Sequence, residues 1–331
     1  MQYIGLIVGF VLLIKCADWF VDGSSNLAKA LGVPTLVIGL TIVAFGTSAP
    51  EAAVSISASV SGQNEIAVGN AVGSSICNLL LVLGASAAVF PMAAPRSVLK
   101  KDYMFAVMAA FVLIFVTGDV FLDGGLGTFA DMLKNSSSMP VISYVTRSEG
   151  LILLTFVIMY VYSLVIGVLE KKDGEKEKGK FSWKDLLMII VGMAGIMLGG
   201  DMVVDSSVKI AESFGVSTQL IALTVVALGT SLPELVTSIV AARKRETDIA
   251  LGNVIGSNIF NIFFVLGSAA VVSPLTLNAT AFVDILIMTA VSIIVLALAS
   301  FRSNISRPNG IFMLMMYFAY TAYIVMRSLW R

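Results

Sequence analysis

The stretch from residue 44 to residue 87, AFGTSAPEAAVSISASVSGQNEIAVGNAVGSSICNLLLVLGASA, is restated at 227 to 270 as ALGTSLPELVTSIVAARKRETDIALGNVIGSNIFNIFFVLGSAA, without a gap and with 21 of 44 positions identical. Each copy keeps one glutamate, Glu51 and Glu234, inside apolar sequence, where a carboxylate is costly and calls for a role. The same offset carries Asp18, Asp22, Ala28 and Gly32 onto Asp201, Asp205, Ala211 and Gly215, so the repeat extends outward to the first apolar stretch of the chain.

With 58% hydrophobic and 13% charged residues, the chain has the profile of a polytopic membrane protein. Its formal net charge is zero and its aromatics lie within apolar runs, which argues against nucleic-acid binding. Histidine is absent, which removes imidazole bases and the common zinc sites. Cys16 and Cys77 fall in apolar segments and read as small buried hydrophobes. The N-terminus lacks a basic leader and a small-residue cleavage site, so it reads as a retained first span.

Apolar runs near 20 residues long predict spans at about 3 to 22, 36 to 60, 66 to 91, 103 to 122, 149 to 169, 184 to 205, 218 to 241, 249 to 273, 281 to 300 and 310 to 328. The expected fold class is all-α, with ten transmembrane helices in two five-helix repeats, 1–169 and 184–331. A charged connector at 170–183 joins them, and residues 123 to 147 form a second long connection. Most Lys and Arg follow the odd-numbered spans, including the Lys-rich connector and Arg243-Lys244-Arg245. The positive-inside rule then makes those loops cytoplasmic and places both termini outside the cell (inner) membrane. An odd number of spans per repeat inverts the second copy relative to the first, an arrangement used by transporters.

In Gly46-Thr47-Ser48-Ala49-Pro50-Glu51, proline removes the amide hydrogen that the Gly46 carbonyl would accept in a helix, so a break is expected here and at Gly229-Thr230-Ser231-Leu232-Pro233-Glu234. Thr47 and Ser48 precede Glu51 by four and three residues and share its helical face, as Thr230 and Ser231 do for Glu234. Asn70, Gly73, Ser74, Cys77 and Asn78 draw a small, polar stripe down the following span. Asn253, Gly256, Ser257 and Asn261 repeat it. The glycines equally suit close helix packing. Asp18, Asp22, Asp201 and Asp205 sit near span ends and read as interfacial. Carboxylates, hydroxyls, amide oxygens and carbonyls without a thiolate or imidazole pattern suit Ca²⁺ or Na⁺ rather than zinc or copper.

The paired GTS-x-PE and GN-x-x-GS motifs resemble the α-repeats of the sodium/calcium exchanger family, within the calcium/cation antiporter superfamily. That resemblance implies a secondary antiporter exchanging Na⁺ for Ca²⁺ by alternating access, with the first and sixth spans sliding against the rest. It implies no enzymatic activity and no cofactor beyond the transported ions. Carried onto this chain, the calcium site would comprise Glu51, Glu234, Thr47 and Thr230. Flanking sodium sites would use Ala44, Thr47, Ser74 and Glu51, and Ala227, Thr230, Ser257 and Glu234, with Asn78 and Asn261 between them. Several members of the family have an aspartate where this chain has Asn261, so the pocket here is the more symmetric. The rival readings are a Ca²⁺/H⁺ antiporter of the same fold, a passive channel and, more remotely, an intramembrane aspartyl protease.

Overall fold

The apolar stretch at the N-terminus forms α1 (Gln2–Leu31), and its repeat counterpart forms α7 (Trp183–Ser213), in a computed structural model that describes residues 2–118, 143–170, 182–215 and 227–329. The two helices pack antiparallel: Gly23 faces Asp185 near one end, and Gly9 faces Gly199 and Val203 near the other. Glycine permits the close approach. A Cβ at Gly192 would lie 2.8 Å from the Phe20 nitrogen, and one at Gly199 would lie 2.9 Å from the Leu13 nitrogen.

Between α1 and α7 the chain forms α2 (Thr35–Thr47), α3 (Ala49–Val60), α4 (Asn64–Val89), α5 (Met104–Thr117) and α6 (Arg147–Glu170). After α7 come α8 (Ala227–Gly229), α9 (Leu232–Arg243), α10 (Thr247–Val272), α11 (Ala279–Arg302) and α12 (Arg307–Leu329). Among the described residues, seven helices are long and apolar enough to cross a membrane, or eight when the bent pair α2 and α3 is taken as one span. The span expected from 103 begins earlier, because helical turns at Arg96–Val98 and Leu99–Tyr103 lead into α5. The first part of the span expected at 218 to 241, most of the connector at 170–183 and most of the connection at 123 to 147 lie outside the described residues.

Helices α4 and α10, which carry the polar stripes, are the innermost, with 72% and 83% of their most apolar windows buried against 22% for α6 and 11% for α12. The peripheral helices turn large apolar side chains outward, among them Ile4, Ile7, Ile158 and Tyr162. That is the pattern of a multi-pass protein whose solvent is lipid.

The repeats interlock. Gly310 on α12 meets the Gly84 carbonyl on α4, and Gly150 on α6 meets the Gly267 carbonyl on α10, so the same contact is made twice with the copies exchanged. The all-helical expectation needs one amendment, in the form of two short antiparallel ladders. Strand β1 (Met92–Ala93) pairs with β4 (Asn304–Ile305), and β2 (Ser143–Val145) pairs with β3 (Leu275–Leu277). Pro91 and Pro95 flank β1 and favour extended backbone in the residues before them. Each ladder ties one repeat to the other.

Candidate cation site

The two breaks form as the prolines require. Ser48 leaves helical geometry at φ −83° and ψ 5°, and α2 and α3 meet at a 44° bend. Ser231 does the same at φ −87° and ψ 2° before α9. Pro50 and Pro233 lie in the first turn, where the missing amide hydrogen costs nothing. Glu51 and Glu234 therefore each occupy the first turn of a helix, where unpaired backbone amides gather.

Both glutamates are fully buried. The Ser48 hydroxyl donates to Glu234 Oε1 at 3.2 Å, joining the motif of one copy to the carboxylate of the other. Both Glu51 carboxylate oxygens and Glu234 Oε2 receive no hydrogen bond from a described residue. The Ser74 and Thr230 hydroxyls stand beside the Glu51 carboxylate, Thr47 stands beside that of Glu234, and the two acids are within electrostatic reach of each other. Lys15 is exposed, and among the described residues no Lys or Arg is paired with either acid. Two uncompensated buried carboxylates would cost several kcal/mol each, about the penalty for an unpaired charge in a protein interior. Among the described residues no basic side chain offsets that cost.

Asn78 and Asn261 are also fully buried, and neither the amide nitrogen nor the carbonyl oxygen of either has a hydrogen-bond partner among described residues. Both lie in π-helical turns, Asn78–Val82 and Phe260–Val265. Such turns add a residue to the helical circuit and recur at functional sites. Ser257 lies 3.5 Å from the Thr47 hydroxyl, and the buried Ser231 hydroxyl has no hydrogen-bond partner among described residues. The Ala44 carbonyl accepts from the Ser48 amide at 3.0 Å and the Thr47 hydroxyl at 3.3 Å. Ala227 opens α8, and its side chain lies outside the described residues.

The structure thus brings Thr47 and Ser48 to Glu234, with Ser257 against Thr47, and Thr230 and Ser74 to Glu51. Each half of the site mixes the two copies. The two stripes differ: Gly252 and Gly256 pack against the α2 backbone at Leu36 and Leu40, whereas a Cβ at Gly69 or Gly73 would meet nothing within 4 Å among described residues. The adjacent Asn253 hydrogen-bonds Thr47 and Ser238, and Asn70 hydrogen-bonds Thr230 and Ser55. Ser55 and Ser238, four residues after the glutamates, were not expected to take part. Their spacing puts them on the glutamate face, a signal that could have found them.

A family model described as "Sodium/calcium exchanger protein" matches residues 1–166 and 184–326. This chain belongs to that family. The sodium/calcium exchanger MaX1 of Methanosarcina acetivorans is 35% identical over 340 residues, covering 96% of this chain and 97% of its own length. The inner membrane protein YrbG of Escherichia coli is 35% identical over 323 residues, covering 92% and 90%. A solved structure of the sodium-calcium exchanger NCX_Mj, soaked with 2.5 mM Na⁺ and 1 mM Sr²⁺, superposes with a TM-score of 0.79 at 31% identity, covering 97% of each chain. Membership makes this chain a cation antiporter rather than an enzyme, and the intramembrane-protease and passive-channel readings fall away.

Proposed function

We propose that this family member exchanges Na⁺ for Ca²⁺ by alternating access at one site built from both copies. The observation that carries the reading is the pair of wholly buried acids, Glu51 and Glu234, the second held by Ser48 of the other copy and neither with a basic partner among described residues. The hydroxyls, carbonyls and side-chain amides named around them offer hard oxygens, the donor type that Ca²⁺ and Na⁺ prefer, with the buried Cys77 thiol nearby. One Ca²⁺ or two Na⁺ neutralises two carboxylates, and three Na⁺ leave one positive charge, so the two ions compete for the same acids.

In this reading Glu51, Glu234, Thr47 and Thr230 bind Ca²⁺. Ala44 with Ser74, and Ala227 with Ser257, extend the site toward flanking Na⁺ positions, and Asn78 and Asn261 lie between. Ser48 and Ser231 supply further hydroxyls. Ten spans in two inverted repeats, 1–169 and 184–331 about the connector 170–183, would place both termini outside the inner membrane. The antiparallel course of α1 and α7 and the doubly made glycine contacts support that inversion. The chain's lack of histidine counts against the proton-coupled alternative. Ca²⁺ uptake into proteoliposomes, driven by a Na⁺ gradient with pH equal on both sides, is the expected outcome; uptake that followed only a pH gradient would overturn the sodium reading.

A further inference from the structure

Two asparagines, the buried Asn253 and the half-buried Asn70, stand behind the acids, and each touches both copies. Asn253 donates from Nδ2 to the Ser238 hydroxyl at 2.9 Å and to the main-chain carbonyl of Glu234 at 3.5 Å. Its Oδ1 accepts from the Thr47 hydroxyl, in the other copy, at 3.0 Å. Asn70 repeats the pattern: its Nδ2 donates to the Ser55 hydroxyl at 3.0 Å and to the Glu51 carbonyl at 3.1 Å, and its Oδ1 accepts from Thr230 at 3.3 Å. One side-chain amide thus uses both its donors on the glutamate turn of its own copy and its acceptor on the threonine of the other.

We infer that Asn70 and Asn253 are positioning residues for cation binding, which aim the lone pairs of Thr230 and Thr47 into the site and couple the two copies of the motif. A threonine hydroxyl has one proton. The amide oxygen can accept it and cannot return one, so the threonine oxygen is left as an acceptor on its remaining side, beside a carboxylate. Two oxygens presented side by side suit a cation between them. The Val43 and Ala44 carbonyls, at 3.1 and 3.3 Å, compete for the Thr47 proton, but they draw it along α2 rather than across the interface. Of these three acceptors, the asparagine is the one that reaches the turn that holds Glu234. Groups behind metal ligands of this kind change affinity by about 10- to 100-fold when removed.

The inference rests on Thr47 being an ion ligand, and a double-mutant cycle separates the two claims. Ca²⁺ binding to purified protein is measured by equilibrium dialysis with ⁴⁵Ca²⁺ for the wild type, Asn253→Leu, Thr47→Val and the double variant. Asn253→Leu should bind about tenfold more weakly, and adding it to Thr47→Val should change affinity little further. Wild-type affinity in Asn253→Leu, or losses that simply multiply in the double variant, would overturn the inference. Wild-type affinity in Thr47→Val would remove Thr47 as a ligand and the inference with it. Should Asn253→Leu fail to fold, the cycle of Asn70→Leu with Thr230→Val makes the same demand at a less buried position, with the same outcomes deciding.

Discussion

The two ends of the α1 and α7 pair differ, although the repeat puts the same aspartates at both. At one end Lys244 reaches Asp18 at 3.2 Å and Asp22 at 2.8 Å, and its ammonium also donates to the Asp18 carbonyl at 3.0 Å. Ser25 donates to Glu246 in the same region at 2.8 Å. At the other end, Asp201 and Asp205 are exposed and make no ion pair among described residues. They line a cavity of about 300 Å³ with Pro50, Thr230 and Pro233, which reaches the site. The position equivalent to Lys244 is Ser61, and the backbone is the same at both: φ −78° and ψ 0° at Lys244, φ −82° and ψ 2° at Ser61. Gly62 and Arg245, which follow, share a positive φ of 71° and 63°. The two loops share one backbone course but not their charges: Val60, Ser61, Gly62 and Gln63 answer to Arg243, Lys244, Arg245 and Glu246. The duplicated motif makes a near-symmetric centre, while the charges of the second copy's loop, with Lys244 paired to Asp18 and Asp22, make the rims unequal.

The largest effect should come from the centre, where the copies are alike. Glu51→Gln and Glu234→Gln should each reduce Ca²⁺ transport in proteoliposomes to the level of empty vesicles, with the protein still monodisperse. If one variant kept substantial transport while the other lost it, the two copies would not share one site. Asn261→Asp breaks the symmetry deliberately. A third central carboxylate should tighten Ca²⁺ binding by about tenfold, as added ligand charge does in oxygen sites, and unchanged or weaker binding by the dialysis assay would contradict the charge argument.

The rim effects should be smaller, because Lys244 and its aspartates are partly exposed and such pairs contribute roughly 0.2–1 kcal/mol. Lys244→Gln should shift the balance between the two access states by up to about fivefold. It should slow labelling of a Met197→Cys reporter, in the Asp201 cavity, by an impermeant thiol reagent in a background lacking Cys16 and Cys77. Ser61→Lys moves the charge to the opposite rim and should act in the same direction, most strongly when combined with Lys244→Gln. Labelling that ignored both changes would make the ion pair a bystander.

Much of the centre was legible in the sequence, because its signals are local. Proline and glycine at fixed offsets mark the breaks, and the repeat says that Glu51 and Glu234 do the same work. What remained hidden depends on pairs of residues about two hundred positions apart. Periodicity assigns Asn253 to a helix face, but only tertiary packing brings that face to Thr47. The same holds for Lys244 with Asp22, for Ser48 with Glu234, and for Gly252, whose packing against Leu36 and Leu40 could equally have been a face lining the site. The π-helical turns at Asn78 and Asn261 likewise leave no mark on composition, since they arise from packing rather than propensity. The short ladders were missed because two- and three-residue strands have no alternation to read.

The central claim is that the two copies make one site, and Ca²⁺ stoichiometry tests it most directly. Equilibrium dialysis of the purified protein against ⁴⁵Ca²⁺ in Na⁺-free buffer should give one bound Ca²⁺ per chain, lost in Glu51→Gln and lost equally in Glu234→Gln. Two bound Ca²⁺ per chain, or one that survived either substitution with its affinity intact, would contradict it.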